Sequence, residues 1–162
     1  MSTNIYEQAI AEAKKLREVA LSTILLIISI DIIFCIFFLL FNDSLPLLYL
    51  DPNNPSNLTD VNQVLEIASK LLIVAGVFQL FDGIQAVVLG ALRGMQDVNK
   101  PAIIIFLSYG VVGFPISYYL GFYTTLSMVG IWLGLLSGLF SSSLFLFLRF
   151  NYLSRKIIRL ND

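Results

Sequence analysis

The chain has 162 residues, of which 57% are hydrophobic and 13% charged, and its mean hydropathy is +0.84. Average soluble domains carry about 25% charged residues, so the composition excludes an ordinary soluble protein and predicts an all-α membrane protein. The formal net charge of −1, without a basic stripe, argues against nucleic-acid binding.

Residues 1–20 are polar and favour a helix, and they lack the apolar core and small-residue cleavage site of a signal peptide. We expect them to form a cytoplasmic, amphipathic lead-in. Four apolar runs follow, each with the roughly 20 residues that cross a hydrocarbon core of about 30 Å. These predicted transmembrane helices are 21–41, 71–92, 102–122 and 127–148, with an external loop at 42–69 and a basic cytoplasmic tail at 149–162.

The basic residues predict the orientation in the membrane. Nine of the ten lie on one side of the predicted spans: Lys14, Lys15, Arg17, Arg93, Lys100, Arg149, Arg155, Lys156 and Arg159. The tenth, Lys70, lies at the opposite boundary, where its side chain can reach the interface. Cytoplasmic loops carry the excess of lysine and arginine, so we expect both chain ends in the cytoplasm.

The second span carries a carboxylate near its centre. An ionised side chain there costs roughly 2.5–3.5 kcal/mol on insertion scales, which favours a functional role for Asp82 over a packing role. Side chains three residues apart on a helix differ in direction by about 60°. Gln79, Asp82 and Gln85 therefore share one broad polar face. For the two glutamines, helix packing and function both remain open.

Two other spans contain residues that interrupt the apolar pattern. Asp31, in the first span, can carry protons or satisfy a neighbouring helix as a neutral acid, and we favour the second interpretation. Pro115 removes a backbone donor and predicts a kink in the third span. In the fourth span, glycines spaced four apart from Gly130 to Gly138 predict a stripe for close helix contact.

The residue types available argue against an enzyme. The chain has no histidine to activate a nucleophile, and its single cysteine excludes an intrachain disulfide. It has no glycine loop for phosphate and no Cys/His cluster for a metal. We therefore expect neither catalysis nor an organic cofactor.

Several motifs resemble one transporter family. The stretch Phe78–Gln85, followed by Gly90–Asp97 and Pro101, is similar to the tenth transmembrane helix of multidrug and toxic compound extrusion (MATE) transporters and the loop after it. The eleventh helix of that family resembles the segment with Tyr109, Gly113 and Pro115. The twelfth resembles Gly130–Leu135. The likeness covers residues from about 5 to 150 and is greatest to the NorM-type branch.

The resemblance implies a C-terminal portion of a twelve-helix transporter, with helices nine to twelve in this chain. Expected partners are membrane lipids, small organic cations, and the N-terminal lobe with helices seven and eight, which would lie outside this chain. It implies efflux of mostly cationic compounds in exchange for Na⁺ or H⁺. Asp82 matches the family's coupling carboxylate, so Na⁺ could bind there, and Gln79 and Gln85 match motif positions. Asp31 and Tyr109 are further candidates, and Pro115 is a candidate hinge.

Two alternatives remain open. A lipid-linked oligosaccharide flippase of the same superfamily would need more basic residues for a pyrophosphate than Arg93 and Lys100 at the cytoplasmic rim. A non-transporting membrane scaffold or assembly subunit would use Asp82 only to bind a neighbouring helix.

Overall fold

A computed structural model describes residues 2–49 and 61–159 of the chain. Within them lie the helices α1 (Ser2–Phe41), α2 (Val61–Gly94), α3 (Asn99–Leu107), α4 (Phe114–Phe122) and α5 (Ser127–Arg159), and a 3₁₀ turn at Pro46–Leu48. A π-helical stretch, Ser108–Gly113, joins α3 to α4; we call it the π segment and the whole of Asn99–Phe122 the third span. Met1, residues 50–60 of the predicted external loop and residues 160–162 of the predicted tail lie outside the described residues.

Four helical stretches are long and apolar enough to cross a membrane: Ile10–Phe41, Val61–Gly94, Asn99–Phe122 and Ser127–Ile158. Each contains one of the spans predicted from hydropathy. The predicted all-α membrane fold with four transmembrane helices is therefore confirmed, and the chain is an integral membrane protein.

The first two helices extend beyond the predicted spans. The sequence of α1 contains neither glycine nor proline, so the lead-in and the first span form one helix of 40 residues, about 60 Å long at 1.5 Å per residue. Helix α2 begins ten residues before the predicted span, in what the sequence suggests is loop. An exposed ion pair between Lys70 and Glu66, 2.6 Å apart on successive turns, lies in this extension. Hydropathy identifies where a helix crosses the membrane but not how far it continues beyond the hydrocarbon core, and a pair of this kind stabilises such an extension.

Helix α2 packs between α1 and α5, and α5 also packs against the third span. Most of the buried apolar residues form one core between α1, α2 and α5: Ala20, Ile24, Val88, Ala91, Leu92, Leu146 and Phe150. This core fixes the two faces of α2 that contact α1 and α5. The remaining side of α2 stays open, and that side carries the candidate site.

The glycine stripe of α5 packs against the third span, as its spacing predicts. A Cβ atom on Gly138 would lie 3.0 Å from the Cα atom of Gly113, and one on Gly134 would overlap the backbone of Ser117. The Ser117 hydroxyl donates a hydrogen bond of 3.0 Å to the Ile131 carbonyl oxygen. The two helices therefore touch through their backbones.

Polar contacts gather the basic segments at one end of the bundle. Arg17 of α1 donates to the Ser154 hydroxyl of α5 at 3.2 Å. Arg149 of α5 forms a half-buried ion pair of 2.6 Å with Asp97, in the connection between α2 and α3. The start of α1, the α2–α3 connection and the end of α5 therefore meet at the same end.

Candidate functional site

Asp82 lies on the open side of α2. Its side chain is exposed on the surface of the bundle, and among residues 2–49 and 61–159 no side chain forms an ion pair or a hydrogen bond with it. Ala86, Gly90 and Arg93 are exposed as well, and a Cβ atom on Gly90 would meet no atom within 4 Å. The open side of α2 is therefore a strip of small residues with a carboxylate at its middle and a guanidinium near its end.

Gln79 faces α1 rather than Asp82. Its Nε2 atom donates a hydrogen bond of 2.9 Å to Oδ1 of Asp31. Asp31 is buried, with 7% of its surface exposed, and it lies beside Gly83 of α2. The structure thus brings two of the predicted site residues together across the α1–α2 interface, in a pairing that spacing along one helix does not reveal.

Gln85 lies on the other side of Asp82, towards the third span. The Tyr109 side chain, from the π segment, is close enough to Gln85 and Asp82 to interact with both. Oε1 of Gln85 is buried without a hydrogen-bond partner in the described part of the chain. Tyr109 therefore belongs to the neighbourhood of Asp82 although the two residues lie on different helices.

The three residues of the predicted polar face of α2 lie in three different environments. Residues three apart on a helix differ by about 60°, so the three residues span about 120°. That width is enough for Gln79 to contact α1 and for Gln85 to lie near the third span, while Asp82 between them forms no hydrogen bond or ion pair with the described residues of either helix. The sequence indicates the width of this face but not which neighbour occupies each edge.

The irregular part of the third span precedes Pro115. The π segment ends at Gly113, and Pro115 lies in the first turn of α4. A proline lacks the amide that would bond the carbonyl four residues earlier, and here that carbonyl belongs to Val111, inside the π segment. The effect of the proline therefore lies one turn before it. Single π turns of this kind occur frequently at functional sites.

An apolar groove of ≈ 610 Å³ runs between the third span and α5. Its volume is within the 300–1,000 Å³ typical of small-molecule sites. Aromatic side chains provide much of its lining: Phe106, Tyr109, Phe114, Tyr118 and Phe122. Tyr109 thus adjoins both this groove and the neighbourhood of Asp82.

Within the residues that the structure describes, no group of three or more Asp, Glu, His or Cys side chains could hold a metal ion. Asp82 alone can offer one carboxylate. Any cation bound there would need further oxygen ligands from water or from outside the described residues.

Comparison with known proteins identifies the family. A model of the MatE family matches residues 8–119. The chain is 39% identical over 120 residues to a probable multidrug resistance protein NorM of Rhizobium meliloti, a match that covers 74% of this chain and 25% of the relative. It is 34% identical over 151 residues to a probable multidrug resistance protein NorM of Bacillus subtilis, covering 93% of this chain and 31% of the relative.

A third relative, a probable multidrug resistance protein NorM of Agrobacterium fabrum, is 37% identical over 108 residues, or 67% of this chain and 22% of the relative. The chain thus spans between about a fifth and a third of the length of these curated relatives. The family match covers well over half of the chain, and the relatives exceed 30% identity. The chain belongs to the MatE family.

Proposed function

We propose that the chain is the C-terminal portion of a multidrug efflux antiporter, contributing helices nine to twelve, which exports organic, mostly cationic compounds in exchange for Na⁺ or H⁺. The names of the relatives support multidrug efflux. The observation that carries the ion-coupling part of the proposal is Asp82, a carboxylate at mid-span on an open helix face.

The position of Asp82 argues against a lipid-facing surface. An ionised carboxylate exposed to hydrocarbon at mid-span costs about 2.5–3.5 kcal/mol on insertion scales, and none of the described residues compensates it. A water-filled cavity removes that cost. Such a cavity would form between the open side of α2 and the remaining helices of the transporter, which is the midplane location where transporters bind ions and substrates.

The surroundings of Asp82 support the substrate class. A carboxylate attracts cations, and Tyr109 connects its neighbourhood to an apolar, aromatic-lined groove. An organic cation with a flat apolar body would place its charge near Asp82 and its rings against aromatic side chains. Alternate occupancy of Asp82 by the substrate and by Na⁺ or H⁺ would then exchange one for the other. Gln79, Gln85 and Asp31 surround this position, and Pro115 would provide a hinge in the third span.

The experiment is transport by the complete transporter polypeptide in proteoliposomes, with an imposed Na⁺ or pH gradient and a fluorescent organic cation. We expect Asp82→Asn to reduce gradient-driven efflux roughly tenfold or more, because a contact with a charged group contributes about 1.5–3 kcal/mol. Asp82→Glu keeps the charge and should retain part of the activity.

The matched control is Asp43→Asn, which removes an exposed carboxylate outside the predicted spans and should leave efflux unchanged. Unaltered efflux in Asp82→Asn, with the same dependence on Na⁺ and pH, would refute the coupling role. If the unmodified polypeptide expelled no dye under either gradient, the scaffold alternative would replace the antiporter.

A further inference from the structure

Asp31 and Asp82 are the two carboxyl groups within the four spans predicted from hydropathy, and Asp31 is the more buried of them. It lies in α1, with 7% of its surface exposed, and it faces α2. Asp82, in contrast, is exposed on the open side of α2. The two residues therefore differ in solvent access although each lies near the middle of an apolar run.

The Asp31 carboxyl group contacts the turn of α2 that carries Asp82. Oδ1 accepts the hydrogen bond from Gln79, three residues before Asp82. A Cβ atom on Gly83, the residue after Asp82, would lie only 2.7 Å from Oδ2 and would also overlap Ile27. Asp31 thus packs against the helix backbone at Gly83 and holds the Gln79 side chain, both on the side of α2 that faces α1.

The surroundings of Asp31 suit a hydrogen-bonding role better than a charged one. Both ion pairs between described residues lie elsewhere, Glu66 with Lys70 and Asp97 with Arg149. Oδ2 of Asp31 is buried and without a hydrogen-bond partner in the part of the chain that the structure describes. A buried charge without a counter-charge is costly. The contribution of Asp31 to the α1–α2 interface is therefore the hydrogen bond that Oδ1 accepts from Gln79.

The bond also determines what Gln79 can do. Residues three apart on a helix are neighbours, so a free Gln79 amide could donate a hydrogen bond to the Asp82 carboxylate. Such a bond would compete with a cation or proton for the same oxygens. Its interaction with Asp31 keeps the Gln79 amide in the α1–α2 interface.

We propose that Asp31 is a positioning residue, which holds the Gln79 amide and the Gly83 backbone against α1 and thereby leaves Asp82 free to bind its ion. This inference rests on the proposed coupling role of Asp82. It assigns Asp31 a role in which the acceptor oxygen is essential and the negative charge is not.

The test measures ion-driven dye efflux by the complete transporter at a series of Na⁺ concentrations and pH values. Asp31→Asn keeps the acceptor, so the half-saturating ion concentration should stay within about twofold of the unmodified value. Asp31→Ala frees Gln79, and we expect that concentration to rise roughly tenfold, the effect of one hydrogen bond to a charged group, with maximal turnover little changed. The double variant Asp31→Ala/Gln79→Leu removes the competing amide and should restore the half-saturating concentration.

The restoration separates positioning from a merely structural role, because a purely structural defect would persist or grow in the double variant. Ser29→Ala provides the matched control, since Ser29 is exposed on the same helix and bonds only within it. If Asp31→Ala does not accumulate in membranes, Asp31→Val fills more of the space and gives the same comparison.

Two results would overturn the proposal. Loss of coupling in Asp31→Asn, as complete as in Asp82→Asn, would mean that the Asp31 charge itself takes part. A double variant that stays shifted would mean that Gln79 does not compete. Neither result affects the role of Asp82, which the Asp82→Asn measurement decides separately.

Discussion

Close contact between α5 and the third span depends on residues without side chains. Gly113 lies against Gly138, and Gly134 lies against Ser117. Association of helices in lipid relies on van der Waals packing because lipid tails are as apolar as leucine. A methyl group added at such a contact must therefore separate two backbones, whereas one added on an open face meets nothing.

Gly134→Ala should destabilise the bundle by about 1–3 kcal/mol, the usual cost of overpacking, because the new methyl group would overlap the Ser117 backbone. The measurement is the free energy of unfolding in detergent micelles. Gly90→Ala is the matched control: no atom lies within 4 Å of its added methyl group. The higher helix propensity of alanine should stabilise that variant by up to about 1 kcal/mol. Equal effects at the two glycines would contradict this account of the α5 contact.

At the scale of helices, the third span is the irregular element. It contacts α5 both at Gly113 and at Ser117, on either side of Pro115. The π segment joins α3 to α4 without a break in the run of helical residues. Because Pro115 removes one backbone donor next to it, this segment should open more readily than the regular helices around it.

Pro115→Ala supplies an amide that can donate to the Val111 carbonyl four residues earlier and should let the α-helical pattern extend into the π segment. We expect amide hydrogen exchange across Ser108–Gly113 to slow roughly tenfold or more, since proline costs about 3 kcal/mol in a helix interior. Pro101→Ala is the control, because Pro101 lies in the first turn of α3, where backbone amides have no helical partner. Exchange in the π segment that is unchanged by Pro115→Ala would show that side-chain packing, rather than the proline, causes the irregularity.

At the scale of the whole molecule, the sequence predicts the membrane class and the four spans because each depends on local composition. Hydropathy locates a span such as 102–122 without knowledge of its neighbours. The arrangement of side chains in the candidate site, in contrast, depends on contacts between helices, such as the hydrogen bond between Asp31 and Gln79, which are 48 residues apart. Helical spacing identifies Gln79, Asp82 and Gln85 as one face, but only packing determines that Gln79 turns to α1 and that Asp82 stays open.

The orientation in the membrane also belongs to the whole molecule. The contacts of Arg17 with Ser154 and of Arg149 with Asp97 bring basic segments of three helices to one end. The other end includes the start of α2 and the α4–α5 turn, which together line a hollow of ≈ 310 Å³ that includes Gln63 and Thr125. The excess of lysine and arginine at one end predicts that this end is cytoplasmic.

Thiol labelling tests that orientation, since Cys35 is the single cysteine. In a Cys35→Ala background, Asp43→Cys should react with a membrane-impermeant maleimide added to intact cells, whereas Lys156→Cys should react only after the membrane is permeabilised. Both positions are exposed, so a difference between them reports sidedness rather than burial. The Cys35→Ala protein without an added cysteine gives the background. Labelling of Lys156→Cys in intact cells, with protection of Asp43→Cys, would reverse the orientation and place the basic end outside.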